Sequence, residues 1–331
     1  MKQTMIAAVL LLLIGGFASA SDPVMGIWEG KYQTESYDTG NLYARVIAEG
    51  QGAYRAVIRL GYDSPYAKVI ELPGKQESGK TLFSGQIDAG PDNGGIYTVN
   101  AEIVDNQFTG RFTGSETSGT LTFTKVQKKS PTLGMAPPSE AIVLFDGKNL
   151  DQWTATNGGK PTWVLLPEGV MEVRKGSIIT KKEIGDMKLH LEFRTPFKPE
   201  VRGQDRGNSG VYIQGRYEVQ ILDSFGLEPK DNECGGIYKV AAPKVNACLP
   251  PLDWQTYDIT FLAPSFDDSG KKIKDAVITV ELNGVVIHNQ LVISNPTGGA
   301  RDKAEVKQAA LLLQDHGNPV QFRNIWYLPM N

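Results

Sequence analysis

Gly207-Asn208-Ser209-Gly210-Val211-Tyr212-Ile213-Gln214-Gly215-Arg216-Tyr217-Glu218-Val219-Gln220-Ile221-Leu222-Asp223 is the stretch whose reading decides the fold. It reads as two strands around a tight turn at Gln214-Gly215. Alternation puts Val211 and Ile213 on one face and Tyr212 and Gln214 on the other. Beyond the turn, Tyr217, Val219 and Ile221 continue the apolar face, and Arg216, Glu218 and Gln220 the polar one. An ordinary solvated strand carries Thr, Lys or Ser there. Long hydrogen-bonding groups instead suit a neutral, hydroxyl-rich ligand such as a sugar. The plain alternative is a wet sheet face, which antiparallel sheets often keep.

The same signals extend along the chain. In the C-terminal part, Lys188 to Thr195 alternates, with Leu189, Leu191 and Phe193 opposite His190, Glu192 and Arg194. Trp254 to Ala263, Ala276 to Leu282, Val285 to Asn289, Gln308 to Gln314 and Phe322 to Leu328 are further strands, and Asn283-Gly284 is a hairpin turn. The pattern predicts about ten strands in two stacked antiparallel sheets. Phe225 to Pro251 is long and irregular, a length of loop that is usually functional or disordered. On the N-terminal side, eight short strands between Gly26 and Lys125, separated by Gly, Asp and Asn turns, predict a compact all-β meander closed as a sandwich or barrel. Trp28 there is expected in its core rather than as a sugar-stacking ring. Residues 128–139 hold three prolines and read as a linker. The expected organisation is therefore a segment 1–20, an accessory all-β domain 21–127, the linker 128–139 and a second all-β domain 140–331.

Residues 1–20 read as a signal peptide: Lys2, an apolar run from Ile6 to Ile14, and Ala18-Ser19-Ala20 ahead of Ser21. The mature protein is expected to be secreted or periplasmic, with no membrane insertion after cleavage, since no later run reaches the ~18 apolar residues of a span. Net charge is -3 over 331 residues. No basic run or arginine stripe appears, which argues against nucleic acid as a partner. In an exported chain the two cysteines are expected to form a Cys234–Cys248 disulfide. The alternative is a thiol nucleophile paired with His190, His288 or His316.

Residues 140–331 resemble the DUF1080 family, also named 3-keto-disaccharide hydrolase. The resemblance rests on Leu144-Phe145-Asp146-Gly147-Lys148-Asn149-Leu150 with Trp153, on Asn208 to Tyr212 and Arg216 to Asp223, and on Cys234-Gly235-Gly236-Ile237-Tyr238. Trp254 to Asp258, Asn283-Gly284, Leu312 to Gly317 and Phe322 to Trp326 complete it. It does not cover the N-terminal domain. It implies a concanavalin A-like jelly-roll sandwich with a sugar site on its concave face. It also implies action on 3-keto-glycosides, by hydrolysis or 1,2-elimination, aided by a divalent metal ion.

A conventional glycosidase needs two carboxylates flanking the bond. Laminarinase-type enzymes of the same sandwich fold carry Glu-x-Asp-x-x-Glu on one strand, and Glu218, Gln220 and Asp223 stand at the matching positions. Gln220 holds no charge and Asp223 reaches less far, which weakens that reading. A 3-ketone opens another route, because it acidifies the C2 proton and lets the C1 substituent leave. One base and one enolate stabiliser then suffice. The expected catalytic residues are Glu218, as base or metal ligand, His316, as metal ligand or proton shuttle, and Arg323, on the keto oxygen. Asn208, Tyr212, Gln214, Arg216, Gln220, Asp223, Lys239 and Glu192 are expected to bind substrate, and His190 stands behind them. Each has a structural alternative: Glu218 pairing with Arg216 or Arg323, His316 bonding its own backbone, Asp223 capping the loop. The competing functions are a lectin-like glycan-binding protein and a two-carboxylate glycosidase.

Overall fold

The computed structural model describes residues 21–36, 39–60, 68–88 and 95–330, so the expected signal peptide lies outside the described residues. The N-terminal meander closes on itself. Its strands are β1 (Gly26–Thr34), β2 (Thr39–Gly50), β3 (Ala53–Leu60), β4 (Lys68–Glu77), β5 (Lys80–Asp88), β6 (Ile96–Val104), β7 (Gln107–Thr113) and β8 (Ser118–Val126). Each pairs antiparallel with the next, and β1 pairs back with β8. Of the two closures the alternation allowed, the chain thus takes the barrel, which leaves no free sheet edge. Trp28 is fully buried, edge-on to Phe108, with its indole N–H donating to the Val24 carbonyl.

The second part is a sandwich. Its strands are β9 (Ile142–Phe145), β10 (Trp153–Ala155), β11 (Val164–Leu166), β12 (Val170–Glu172), β13 (Ile178–Ile184), β14 (Met187–Arg194), β15 (Ser209–Ile213), β16 (Tyr217–Ile221), β17 (Gln255–Leu262), β18 (Ser265–Phe266), β19 (Lys272–Lys274), β20 (Ala276–Leu282), β21 (Val285–Ile293), β22 (Ala309–Leu313) and β23 (Gln321–Pro329). One sheet runs β10-β13-β22-β15-β16, and the other β11-β12-β23-β14-β17-β20-β21 with β9 beside β23. They stack as a jelly-roll sandwich. The strands beyond the expected ten include β10, β18 and β19, each three residues or shorter, too short to show alternation. The apolar faces meet between the sheets, where Val211, Ile213, Val219 and Ile221 pack in one cluster with Leu189, Leu191, Phe193, Ile259 and Phe261. Apart from single 3-10 turns the described residues hold no helix, and no helix is long and apolar enough to cross a membrane.

The barrel and sandwich share packing. Phe225 and Leu249, from the irregular 225–251 segment, belong to the barrel's apolar cluster. Arg45 donates to the Asn246 carbonyl (2.7 Å), and Arg206 reaches the Ala48 carbonyl (3.4 Å). The proline-containing linker also docks, on the outer face of the seven-strand path of the larger sheet. Thr132 donates to Asp258 (2.6 Å), Ser130 bonds Thr256 (2.6 Å), and the Gly134 amide donates to Glu192 (2.6 Å).

Glu192 is the anchor of that contact. It is fully buried and also receives Arg323 Nε (2.6 Å) and Asn324 Nδ2 (2.9 Å). Burial alone would raise its pKa, but hydrogen bonds from His190, Asn324, Arg323 and the Gly134 amide outweigh it and hold the carboxyl at about 2. Removing one partner of such a network leaves buried donors unpaired. Glu192→Ala is therefore expected to lower stability by about 3 kcal/mol and to speed proteolysis within residues 128–139, measured by denaturant unfolding and limited digestion. Unchanged stability would refute the anchoring role.

Candidate functional site

The hairpin β15–β16 turns at Gln214-Gly215, both with positive φ, which is the geometry of a tight two-residue hairpin turn. Its register pairs Tyr212 with Glu218 and Gly210 with Gln220, and Leu312 of β22 lies beside Tyr212. These residues occupy the outer face of the five-stranded sheet, opposite the core. Gly210 forms the floor of a small hollow there. A Cβ at this position would come within 2.9 Å of Glu218 Oε1 and of the Tyr212 ring, and 3.3 Å of Gln314 Oε1. Gly299, in the loop between β21 and β22, is the roof: a Cβ on it would meet the Tyr212 hydroxyl at 2.4 Å and Glu218 Oε2 at 3.1 Å. That loop is pinned by Thr297, whose amide donates to the Arg216 carbonyl, and by Lys303, whose Nζ donates to the Thr297 carbonyl (3.1 Å).

Glu218 is 2% exposed, and burial raises its pKa to about 7, with the nearby Tyr212 hydroxyl opposing the shift. No cation offsets it. Gln314 Nε2 donates to the Tyr212 hydroxyl (3.0 Å), and burial beside Glu218 keeps that phenol protonated, with its pKa pushed well up. Glu218 Oε2, Gln314 Oε1 and Asn208 Oδ1 are buried oxygens with no hydrogen-bond partner. Buried acceptors without donors are costly unless something brings hydrogens or positive charge to them. Next to the hollow, Gln204 Oε1 accepts from Asn208 Nδ2 (3.1 Å) and Gln220 Nε2 (3.0 Å). Tyr238 lies against Gly298 of the roof loop, and its amide donates to the Glu218 carbonyl.

Of the expected residues, Glu218, Tyr212, Gln220 and Asn208 thus share one face. The others do not join them. Arg323 and Glu192 bond each other on the outer face of the opposite sheet, with Arg323 also 4.1 Å over the Trp254 ring, so both belong to the linker contact. His190 sits in the same network, 2.6 Å from Asp258. Arg216 and Gln214 are buried as struts: Arg216 Nη1 donates to the Gln214 carbonyl (2.6 Å), and Gln214 Nε2 to the Ile184 and Lys307 carbonyls. Asp223 is sealed in an ion pair with Arg206 (2.7 Å). Lys239 is half exposed and faces Asp231 at 3.6 Å. His316 is exposed in its turn, where its carbonyl accepts from Asn318.

The expected disulfide is also corrected. Cys234 and Cys248 are buried free thiols, with the Tyr257 hydroxyl 3.3 Å from the Cys234 sulfur. His288 donates its Nε2–H to the Gly235 carbonyl (2.8 Å) and makes no thiol pair.

Glu218 and His316 were the expected metal ligands, and they do not bond one another. Among the described residues no three His, Cys, Asp or Glu side chains gather to hold an ion. The unpartnered oxygens of Glu218, Gln314 and Asn208 are nonetheless the hard donors that Mg²⁺ or Ca²⁺ takes. Of these residues, Glu218 and Gln314 turn side-chain oxygens to the same space above Gly210, one carboxylate with one neutral amide, and His316 is not beside them.

Sequence reasoning missed Gln314, Gln204, Tyr238 and the roof Gly298-Gly299. Gln314 carried a readable signal, since it follows Leu312 at the strand period. Gln204 and Tyr238 lie in irregular segments and reach the face only through tertiary contacts.

A model of the 3-keto-alpha-glucoside-1,2-lyase-like domain matches residues 140–327. Among solved structures, a protein of Parabacteroides distasonis named "putative glycosyl hydrolase" is 39% identical, covering 58% of this chain and 85% of its own, with a TM-score of 0.53. A second protein of the same name and organism is 19% identical over 58% of this chain and 94% of its own, with a TM-score of 0.43, and adds nothing to the reading. No curated protein matches. The matched residues span both sheets of the sandwich and the whole hollow around Glu218, and the chain belongs to the 3-keto-alpha-glucoside-1,2-lyase-like family.

Proposed function

We propose that this protein is an exported enzyme that cleaves 3-keto-glycosides at C1 after removing the C2 proton. The observation that carries the reading is Glu218: a buried carboxyl with no counter-charge, its pKa raised to about 7, facing a hollow lined by a phenol and amides. A base is most useful when its pKa lies near the working pH. Glu218 takes the C2 proton. The electron pair left behind forms the C1=C2 bond, conjugated with the C3 ketone, and the C1–O bond breaks. The leaving oxygen receives the proton that Glu218 collected, passed through the Tyr212 hydroxyl. Gln314 orients that hydroxyl (3.0 Å). Addition of water across C1=C2 completes a net hydrolysis. Gln220 and Asn208 bind sugar hydroxyls. In the other arrangement, a divalent ion held by Glu218 and the Gln314 amide oxygen would make Glu218 a ligand in place of the base and would supply Lewis-acid stabilisation of the enolate.

The two-carboxylate glycosidase finds no second acid here, because Asp223 is neutralised by Arg206 and Gln220 is an amide. Lys2, the apolar run to Ile14 and Ala18-Ser19-Ala20 support export, and N-terminal sequencing of the exported protein should then begin at Ser21.

Three measurements test the reading. Purified protein should release aglycone from a 3-keto-glucoside and none from the unoxidised parent; EDTA should slow release if the ion takes part. Release from the parent would favour the two-carboxylate route, and saturable binding without release would favour a lectin-like protein. Second, kcat/KM should rise with pH through about 7, as Glu218 loses its proton, and a flat profile from pH 5 to 9 would speak against it as base. Third, Glu218→Gln should abolish turnover while raising stability. The group's folded pKa lies above its unfolded value, so its contribution is favourable at low pH and is lost as pH rises from about 4.5 to about 7. The variant should gain at most about 3 kcal/mol at pH 8 and little at pH 4, read from unfolding midpoints at both.

A further inference from the structure

We propose that Gln204 is a positioning residue for substrate binding, and that the barrel holds it in place. This rests on the reading that Asn208 and Gln220 take sugar hydroxyls beside Glu218. Gln204 lies in the 3-10 turn Gly203–Asp205, within the loop between β14 and β15. Its Nε2 donates to the Asn232 carbonyl (2.9 Å), and its Oε1 faces the hairpin. That one oxygen accepts an N–H from Asn208 (3.1 Å) and another from Gln220 (3.0 Å). Turning either amide over would set oxygen against oxygen, so Gln204 fixes which way both point. Gln220 Oε1 is already taken up by the Ile221 amide (3.1 Å). Asn208 Oδ1 is left buried and without a donor. The group that Asn208 asks for is therefore a donor. A sugar hydroxyl satisfies it and a keto oxygen does not.

The loop that carries Gln204 is fastened to the barrel. Phe197 packs against the barrel's apolar cluster. Arg202 Nη2 donates to the Glu49 carbonyl (2.8 Å). Arg206, ion-paired with Asp223, reaches the Ala48 carbonyl (3.4 Å). Gly50, at φ +88°, lies so close to the Glu200 carboxylate that a Cβ there would overlap it. Ala48, Glu49 and Gly50 end β2 just before the turn into β3. One end of the barrel thus grips the loop on both sides of Gln204 in sequence. It sets the position of Gln204, and through Gln204 the two amides, with no barrel side chain in the hollow.

Steady-state kinetics of the full chain on a 3-keto-glucoside test this. Gln204→Ala should raise KM about tenfold, the worth of one or two hydrogen bonds. Its kcat should stay within about twofold of wild type, and its pH midpoint at about 7, because Gln204 bonds Asn232, Asn208 and Gln220 and leaves Glu218 alone. Arg202→Ala, on the barrel side of the loop, should raise KM about threefold in the same way. Added to Asn208→Ala with Gln220→Ala, Gln204→Ala should raise KM no further. An unchanged KM in Gln204→Ala, with only the thermal midpoint lowered, makes the loop a domain contact and overturns the proposal. So does a further rise on the double background, which would put Gln204 itself on the substrate. If that background is poorly folded, the two single variants decide. Wild-type KM in Arg202→Ala overturns the barrel's part. Failure of the wild type to turn over the 3-keto-glucoside overturns the C2-deprotonation reading and this proposal with it.

Discussion

Successive side chains of a strand must point to opposite faces, and the hairpin from Ser209 to Ile221 turns that constraint into a division of labour. Val211, Ile213, Val219 and Ile221 fill the space between the sheets. Because they do, Tyr212, Glu218 and Gln220 have nowhere to go but the outer face. A slip of one residue would bury Glu218 among Leu189 and Phe193 and send the valines to the roof loop. The turn at Gln214-Gly215, held by Arg216 and the Gln214 amide, fixes the register against such a slip. The edge of the strand is fixed too, by the paired amides and carbonyls of Gln220, Gly235 and Gly236.

The same amino acid serves opposite ends on the two sheets. Glu192 and Glu218 are both buried. Glu192 is surrounded by a guanidinium, an imidazole and two N–H donors and stays ionised down to about 2. Glu218 has a phenol and an unpartnered oxygen, and its proton comes off only near 7. Desolvation acts on both; the number of donors offered decides which way each pKa moves. The first arrangement holds a linker down, and the second leaves an acid–base group under tension in a hollow.

Period-two alternation carried much of this into the sequence. It placed all eight barrel strands, the hairpin and the polar face of Tyr212, Glu218 and Gln220. Trp28 reads as core on the general tendency of Trp to be buried, and it is fully buried. Alternation gives a face, however, and does not say which sheet a face belongs to. Arg323 and Glu218 both alternate outward, but from opposite sheets, and only the sheet order separates them. Arg216 and Asp223 were misread for a related reason: a charged residue at a hairpin end or a strand end is as easily a strut for the next loop, and the loops that receive them, 202–206 and 302–304, have no periodic pattern to reveal their path. The thiol pair shows the limit of compartment arguments, which set what chemistry is permitted and not which bond is made.

Phe225 and Leu249 belong by sequence to the sandwich and by packing to the barrel. The irregular segment between β16 and β17 therefore closes two cores at once, the barrel's with Phe225 and Leu249 near its two ends and the sandwich's with Cys234, Ile237 and Cys248 between them. Neither half completes its interior from its own strands alone, and the two are expected to melt in a single transition rather than in succession. The barrel, which carries none of the hollow's residues, is in this sense part of what keeps the strand of Glu218 in place: loosening it opens the segment that pairs with Gln220.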